Sequence, residues 1–344
     1  MTRLVFVTQR IDPHDPNLAA AIPMVAALAR RVDEVTVLAL DARPAGLPDN
    51  VRVRTFGAGT RLGRGLRFAA ALSAELRRRP QALVAHMSPV YAVLAAPLAR
   101  PVGTKVLLWF THWRSSRLLS LAERLSTAVV SVDERSFPLR SSKLRAIGHG
   151  IDVAQFPCTE RPPAPPVRLL ALGRYSPAKG LDHVLRAVAA SPESELLVHG
   201  PCVTDEERRH RTALDALAAE LGLDGRARLE GPVPRAEVPA LLAAATALVN
   251  NMRAGAPDKV VYEAAASCVP VLASNPVFDE LFAGLESELA FARERPEELA
   301  ARIDALGSTS PEALARVGAA LRERVAARHS VETWADGVLA AAGL

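Results

Sequence analysis

The stretch Ala256–Asn275, APDKVVYEAAASCVPVLASN, decides how this 344-residue chain is read. Pro257 and Asp258 read as a helix start, because proline is tolerated in a first turn and aspartate caps the free amides there. VVYEAAAS continues as a short helix, and Val269–Ala273 follows as a buried strand entered through Pro270. The helix presents free N–H groups with Lys259 beside them, and Glu263 sits one turn further in. Such a start is an anion site, and a carboxylate just behind it suits a hydroxylated partner. A phosphate attached to a sugar satisfies both.

Outward from this unit, strand-like runs alternate with helix-like runs, the signature of parallel sheets with helical crossovers. In the first half the predicted strands are Leu4–Thr8, Glu34–Leu40, Val51–Phe56, Ala82–Ala85, Lys105–Phe110 and Ala128–Val132. Helical stretches such as Asn17–Arg31, Gly65–Arg78, Val90–Leu98 and Leu118–Ser126 lie between them. A proline-rich segment follows (Pro157, Pro162, Pro163, Pro165, Pro166). The alternation then restarts with Val167–Leu172, Glu195–His199, Arg226–Glu230, Ala247–Asn250, Val269–Ala273 and Glu288–Phe291. The expected fold is α/β: two Rossmann-like doubly wound domains, 1–156 and 167–328, joined by a stiff linker 157–166 and facing across a cleft that holds the site. Residues 329–344 remain as a last helix.

Composition narrows the function. Aromatics are 4% of the chain, which argues against base stacking and leaves no nucleic-acid reading. A net charge of +5 favours anionic partners: a nucleotide, a lipid phosphate or an acidic membrane surface. The N-terminal apolar run is too short for a signal peptide, and no stretch reaches the ~18 apolar residues of a spanning helix. Cys158, Cys202 and Cys268 are scattered and form no CxxC, so neither a disulfide framework nor a zinc site is expected. The expectation is a reducing, cytoplasmic location, with peripheral contact at the inner face of the membrane left open.

Three loops carry chemistry. TQRIDPHDPN, Thr8–Asn17, leaves the first strand at its carboxyl end, where open parallel sheets bind ligands. Its Asp12, His14 and Asp15 are suited to sugar hydroxyls; an ordinary polar loop is the competing reading. GRYSPAKG, Gly173–Gly180, places Lys179 at the positive end of a helix, a position unfavourable by ~0.3–1 kcal/mol unless an anion binds there. Arg174 on the same loop can grip a phosphate through two parallel charge-assisted bonds. The opening stretch, with Glu263, is the third. His112 ends a strand and faces the same cleft. GAGTRLGRG (Gly57–Gly65) has Leu62 where a dinucleotide fingerprint needs glycine, and reads as a basic loop offering Arg61, Arg64 and Arg67 to an anionic acceptor. No HExxH and no DxD occurs, so a divalent metal is not the expected neutraliser of a diphosphate.

Taken together, these motifs resemble a retaining glycosyltransferase of family 4, with the GT-B fold, in a bacterial branch. The resemblance spans nearly the whole chain. Thr111–His112 resembles the acceptor-domain histidine, and AIGHGIDVAQFP (Ala146–Pro157) the signature before the linker. GRYSPAKG resembles the donor-phosphate motif, LEGPVP (Leu229–Pro234) the strand and turn that read the nucleobase, and VVYEAAASCVPVLAS the "EA…G.PV" motif. The family's usual first glutamate falls here on Gly255, and Ser267–Cys268 departs from its usual pair, read as a packing change.

The resemblance implies a metal-independent transfer from a nucleotide-diphosphate sugar, with no other cofactor, to an acceptor that is lipid-linked or a small molecule. It implies that Arg174 and Lys179 hold the diphosphate, that Glu263 meets the ribose hydroxyls, and that His112 contacts the transferred sugar. Gly173, Gly200, Val233, Gly255, Asp258, Lys259 and Val260 complete the implied donor site. Arg10, Asp12, His14, Asp15, Asn17 and His86 form the implied acceptor site. It further implies that the helix Val331–Ala341 crosses back onto the first domain. A sugar-nucleotide epimerase of the same fold and a non-catalytic nucleotide-sugar-binding partner are the alternatives.

Overall fold

Runs of valine, leucine and alanine form twelve parallel strands in two sheets, seen in a computed structural model that describes residues 1–15, 18–162 and 164–344. The chain divides into unit 1, Met1–Asp152 with Arg328–Leu344, and unit 2, Val153–Ala327. Unit 1 contains β1 (Arg3–Ile11), β2 (Glu34–Ala42), β3 (Val51–Thr55), β4 (Ala82–His86), β5 (Lys105–Trp109), β6 (Ala128–Ser131) and β7 (Leu144–Ala146), ordered β3-β2-β1-β4-β5-β6-β7. Unit 2 contains β8 (Val167–Leu172), β9 (Ser194–His199), β10 (Ala227–Glu230), β11 (Ala247–Asn250) and β12 (Val271–Ala273), ordered β10-β9-β8-β11-β12. Each order reverses beside its first strand, at β1/β4 and β8/β11. Such reversals open a crevice at the carboxyl ends of the strands.

Right-handed crossovers sort the helices of unit 1. The steps from β3 to β4, β4 to β5 and β5 to β6 advance in one direction, so helices Arg61–Leu76, Pro89–Ala99 and Arg117–Leu125 share one face. Their inner sides bury Phe68, Leu72, Tyr91, Ala95 and Leu119 in one core with Val7, Leu83 and Leu108 of the sheet. The other face holds Ala21–Ala29 and the last helix, Val331–Ala342, which pack on each other. Trp334 of that helix is fully buried, 5.9 Å from Trp109 and 6.5 Å from Phe6 between ring centres.

Several expectations are corrected. Arg61 is helical from the outset: the Thr60 hydroxyl accepts from the Gly63 N–H at 3.1 Å, so the cap decides where the glycines suggested a loop. Leu144–Ala146 is a largely exposed edge strand, too short to show a pattern. Glu288–Phe291 is not a strand, since Glu286–Leu289 is helical and only Ala290 bridges Ala273. Cys158 and Cys268 form a disulfide with their Cα atoms 5.1 Å apart, while Cys202 is free. Spacing along the chain concealed this, because the two are 110 residues apart and meet only through the fold. The cysteine argument for a reducing compartment falls with it. Among the described residues, no helix is long and apolar enough to cross a membrane.

Candidate functional site

In unit 2 the loop after β8 is shaped by glycines that nothing larger could replace. Gly173 has φ +129°, and a Cβ there would lie 2.6 Å from the Lys179 ammonium. Gly180 has φ +55°, and its Cβ would lie 2.5 Å from the Asn251 amide nitrogen. A Cβ on Gly200, just after β9, would overlap the Gly173 carbonyl. The loop therefore folds tightly over the carboxyl ends of β8, β9 and β11.

This folding brings Lys179 onto the start of the helix Lys259–Ala266, where it forms an ion pair with Asp258. Asp258 makes no side-chain cap, contrary to expectation. Its carboxylate instead takes Lys179 and the Asn250 amide, the latter at 2.8 Å. One turn on, Glu263 is buried, its Oε1 2.8 Å from Arg235 Nη2 and 3.0 Å from Lys259 Nζ. Burial pushes this carboxyl up, but Lys259 and Arg235 outweigh it and hold the pKa at about 2. Glu263 is thus an ionised, doubly paired carboxylate rather than a surface glutamate. Val260 lies in the same first turn. Gly255, at φ +133°, accepts from the Asn275 amide at 3.4 Å. Arg174 is half-exposed and lies 3.3 Å from Glu207, at the start of the helix Asp205–Glu220. Val233 is half-buried in the turn that delivers Arg235.

Four residues of this region escaped the sequence reading. Arg235 follows LEGPVP by one position, and that adjacency was the available signal. Asn250 and Asn251 end the apolar run of β11, and each keeps a buried side-chain oxygen without a hydrogen-bond partner among the described residues. Both line a small cavity with Gly173 and Lys179. Arg293 braces the Lys179 turn, reaching the Pro177 and Ala178 carbonyls at 3.4 Å and the Asn251 carbonyl at 3.3 Å. A wider groove of about 250 Å³, lined by Arg168, Glu195 and Arg228, opens at the amino ends of β8–β10, the opposite end of the sheet from Lys179.

In unit 1 the expected residues stand at the carboxyl ends of β1, β4 and β5, which are neighbours. Asp12 and Asp15 are buried and hold their own loop: Asp12 accepts from the His14 N–H at 2.9 Å, and Asp15 from the Leu18 N–H at 2.7 Å. Arg10 bridges Asp15 at 3.2 Å and Asp41 at 3.3 Å. His86 is buried with Nδ1 3.3 Å from the Thr8 hydroxyl. His112 Nδ1 accepts from the Arg114 N–H at 2.9 Å, which leaves Nε2 to carry the proton of the neutral ring. Asn17 lies outside the described residues. Among the described residues no group of three His, Cys, Asp or Glu is placed to hold a metal ion.

Residues 159–324, the bulk of unit 2, match the model of the family described as Glycosyl transferases group 1. No curated protein matches the chain. Among solved structures, it is similar to sucrose-phosphate synthase from Thermosynechococcus elongatus, at 16% identity and TM-score 0.78, covering 98% of this chain and 97% of that one. It is also similar to Anabaena HepE in complex with UDP-glucose, at 17% identity and TM-score 0.76 over 100% of both chains. A third likeness is a glycosyltransferase from Rickettsia africae, at 13% identity and TM-score 0.79 over 99% and 97%. At these identities the likeness is one of fold, and that fold is GT-B.

Proposed function

We propose that the chain moves a sugar from a nucleotide-diphosphate donor held by unit 2 to an acceptor held by unit 1, with retention of configuration and without a metal, as in glycosyltransferase family 4. The observation that carries the reading is the junction of Lys179 with Asp258, two residues 79 positions apart that meet at a helix start. A cation and the first amides of a helix converge there, and a pyrophosphate answers both.

As the bond from the anomeric carbon to the diphosphate breaks, charge builds on the leaving oxygen. Lys179 and the amides near Val260 stabilise that charge without further reorganisation. Asp258 holds Lys179 until the diphosphate arrives. Glu263, held ionised by Arg235 and Lys259 at Oε1, accepts from ribose hydroxyls. Arg174 reaches the diphosphate by leaving Glu207, at little cost because its side chain is half-exposed. His112, with its proton on Nε2, donates to the transferred sugar. The family resemblance and the UDP-glucose held by HepE support a nucleotide sugar as donor.

Isothermal titration with uridine, guanosine and adenosine diphosphates and their sugars tests the donor site. One nucleotide series should bind, and Lys179→Ala should weaken it by about ten- to a hundredfold, the worth of one charge-assisted bond, with far-UV circular dichroism unchanged. Unchanged affinity in that variant overturns the assignment. Turnover surviving EDTA supports the metal-independent step. Release of an altered nucleotide sugar without transfer would point to an epimerase instead.

A further inference from the structure

Unit 1 carries a surface for which the proposed transfer has no use. On the helices Arg61–Leu76, Pro89–Ala99 and Arg117–Leu125, the sides turned from the core expose Leu62 (75%), Leu66 (64%), Leu118 and Leu121 (both 43%). Val90 and Leu94 between them are also exposed. The first helix packs on the second and the second on the third. All three follow parallel strands, so their first turns lie together at the carboxyl end of the sheet. Trp113 stands before the third helix with the Arg114 guanidinium 4.6 Å over its ring.

The charge of this face is one-sided. Between Asp49 and Glu123 the sequence has one acidic residue, Glu75, against twelve Lys and Arg. Glu75 is buried and already meets Arg54 at 2.7 Å and Arg52 at 3.0 Å. Arg61, Arg64, Arg67, Arg114 and Arg117, on or beside the exposed leucines, make no ion pair among the described residues.

We infer that these three helix starts form a docking face for an anionic lipid membrane. Leucines enter the boundary between headgroups and acyl chains. Arginines lie along the phosphates with their stems buried, and Trp113 sits at headgroup depth. A nucleic acid would leave the leucines in water, and a protein partner would have to supply an unbroken acidic surface around an apolar centre. A bilayer with acidic headgroups offers that pairing of layers directly. The inference stands apart from the donor site, so either can fail without the other.

Co-sedimentation of the full chain with vesicles of phosphatidylcholine, alone or with about 30 mol % phosphatidylglycerol, tests it. Binding should require the anionic lipid and weaken with salt. The variant Leu62→Ser/Leu66→Ser/Leu118→Ser/Leu121→Ser should lose it by tenfold or more. The variant Arg61→Glu/Arg64→Glu/Arg117→Glu should lose about fivefold per residue. Nucleotide affinity should stay unchanged in both, which also reports that they fold. No binding to anionic vesicles overturns the proposal, as does equal binding by both variants. So does a dimer in sedimentation velocity that the serine variant abolishes, because the face would then join two copies.

Discussion

At the carboxyl end of the unit 2 sheet each cation of the site meets a carboxylate: Lys179 meets Asp258, Lys259 and Arg235 meet Glu263, and Arg174 meets Glu207. On the helical face of unit 1, five arginines meet none among the described residues. The two sheets share a plan and even the same reversal of strand order, so the difference lies in what the loops and helix starts do with charge. A paired cation is fixed in place and can be exchanged for a ligand of matching geometry. An unpaired row of cations beside leucines has no fixed geometry to match and suits a partner defined by its surface.

Glu263→Ala should have the largest effect on that contrast. It leaves Arg235 and Lys259 without their buried partner, a loss of about 3–5 kcal/mol. Chemical denaturation should show unit 2 unfolding early while near-ultraviolet signals of Trp109 and Trp334 in unit 1 persist. A single shared transition, lowered as a whole, would mean the units do not unfold separately. Cys158→Ser should follow at about 2–4 kcal/mol, again confined to unit 2. Reduction of the wild type should reproduce it, and a variant as stable as the wild type would break the prediction.

Acid comes next, and it reaches the two units in different pH windows. His329 in unit 1 is held neutral by burial, with nearby Arg328 adding to the effect, and its pKa falls to about 4. Its contribution is complete above the unfolded value of 6.5 and is lost as pH falls towards 4, about 2 kcal/mol of it by pH 5. Glu263 is depressed from 4.5 to about 2, so its contribution is complete above 4.5 and is lost only below. Between pH 6.5 and 5, therefore, unit 1 should weaken while unit 2 does not, and His329→Gln should flatten that slope. Smallest of all, Arg61→Ala, Arg64→Ala and Arg117→Ala should each change stability by less than about 0.5 kcal/mol. A larger change would mean that these arginines support the fold.

Apolar runs and helix starts made the two-sheet architecture legible from the chain, since buried parallel strands need continuous valine, leucine and alanine. The gathering of Lys179, Asp258, Lys259 and Glu263 was likewise foreshadowed by glycine-lysine and proline-aspartate spacing. What stayed hidden was tertiary. Arg235 reaches Glu263 from 28 positions away, and Asp258 turns from its own helix to another loop's lysine. Cys158 finds Cys268 only once β8 and β12 are in place. The start of the helix at Arg61 was missed for a local reason: Gly63 and Gly65 outweighed Thr60 in the reading, whereas the hydroxyl cap outweighs them in the molecule.

The helix Val331–Ala342 has a consequence for synthesis. All of unit 2 has been translated before Arg328 is made, so its fold needs nothing from the last helix. Unit 1, begun first, must wait with Trp109 and Phe6 uncovered until Trp334 emerges. The older half of the polypeptide is thus the later to mature, and that interval is when a chaperone has most to protect.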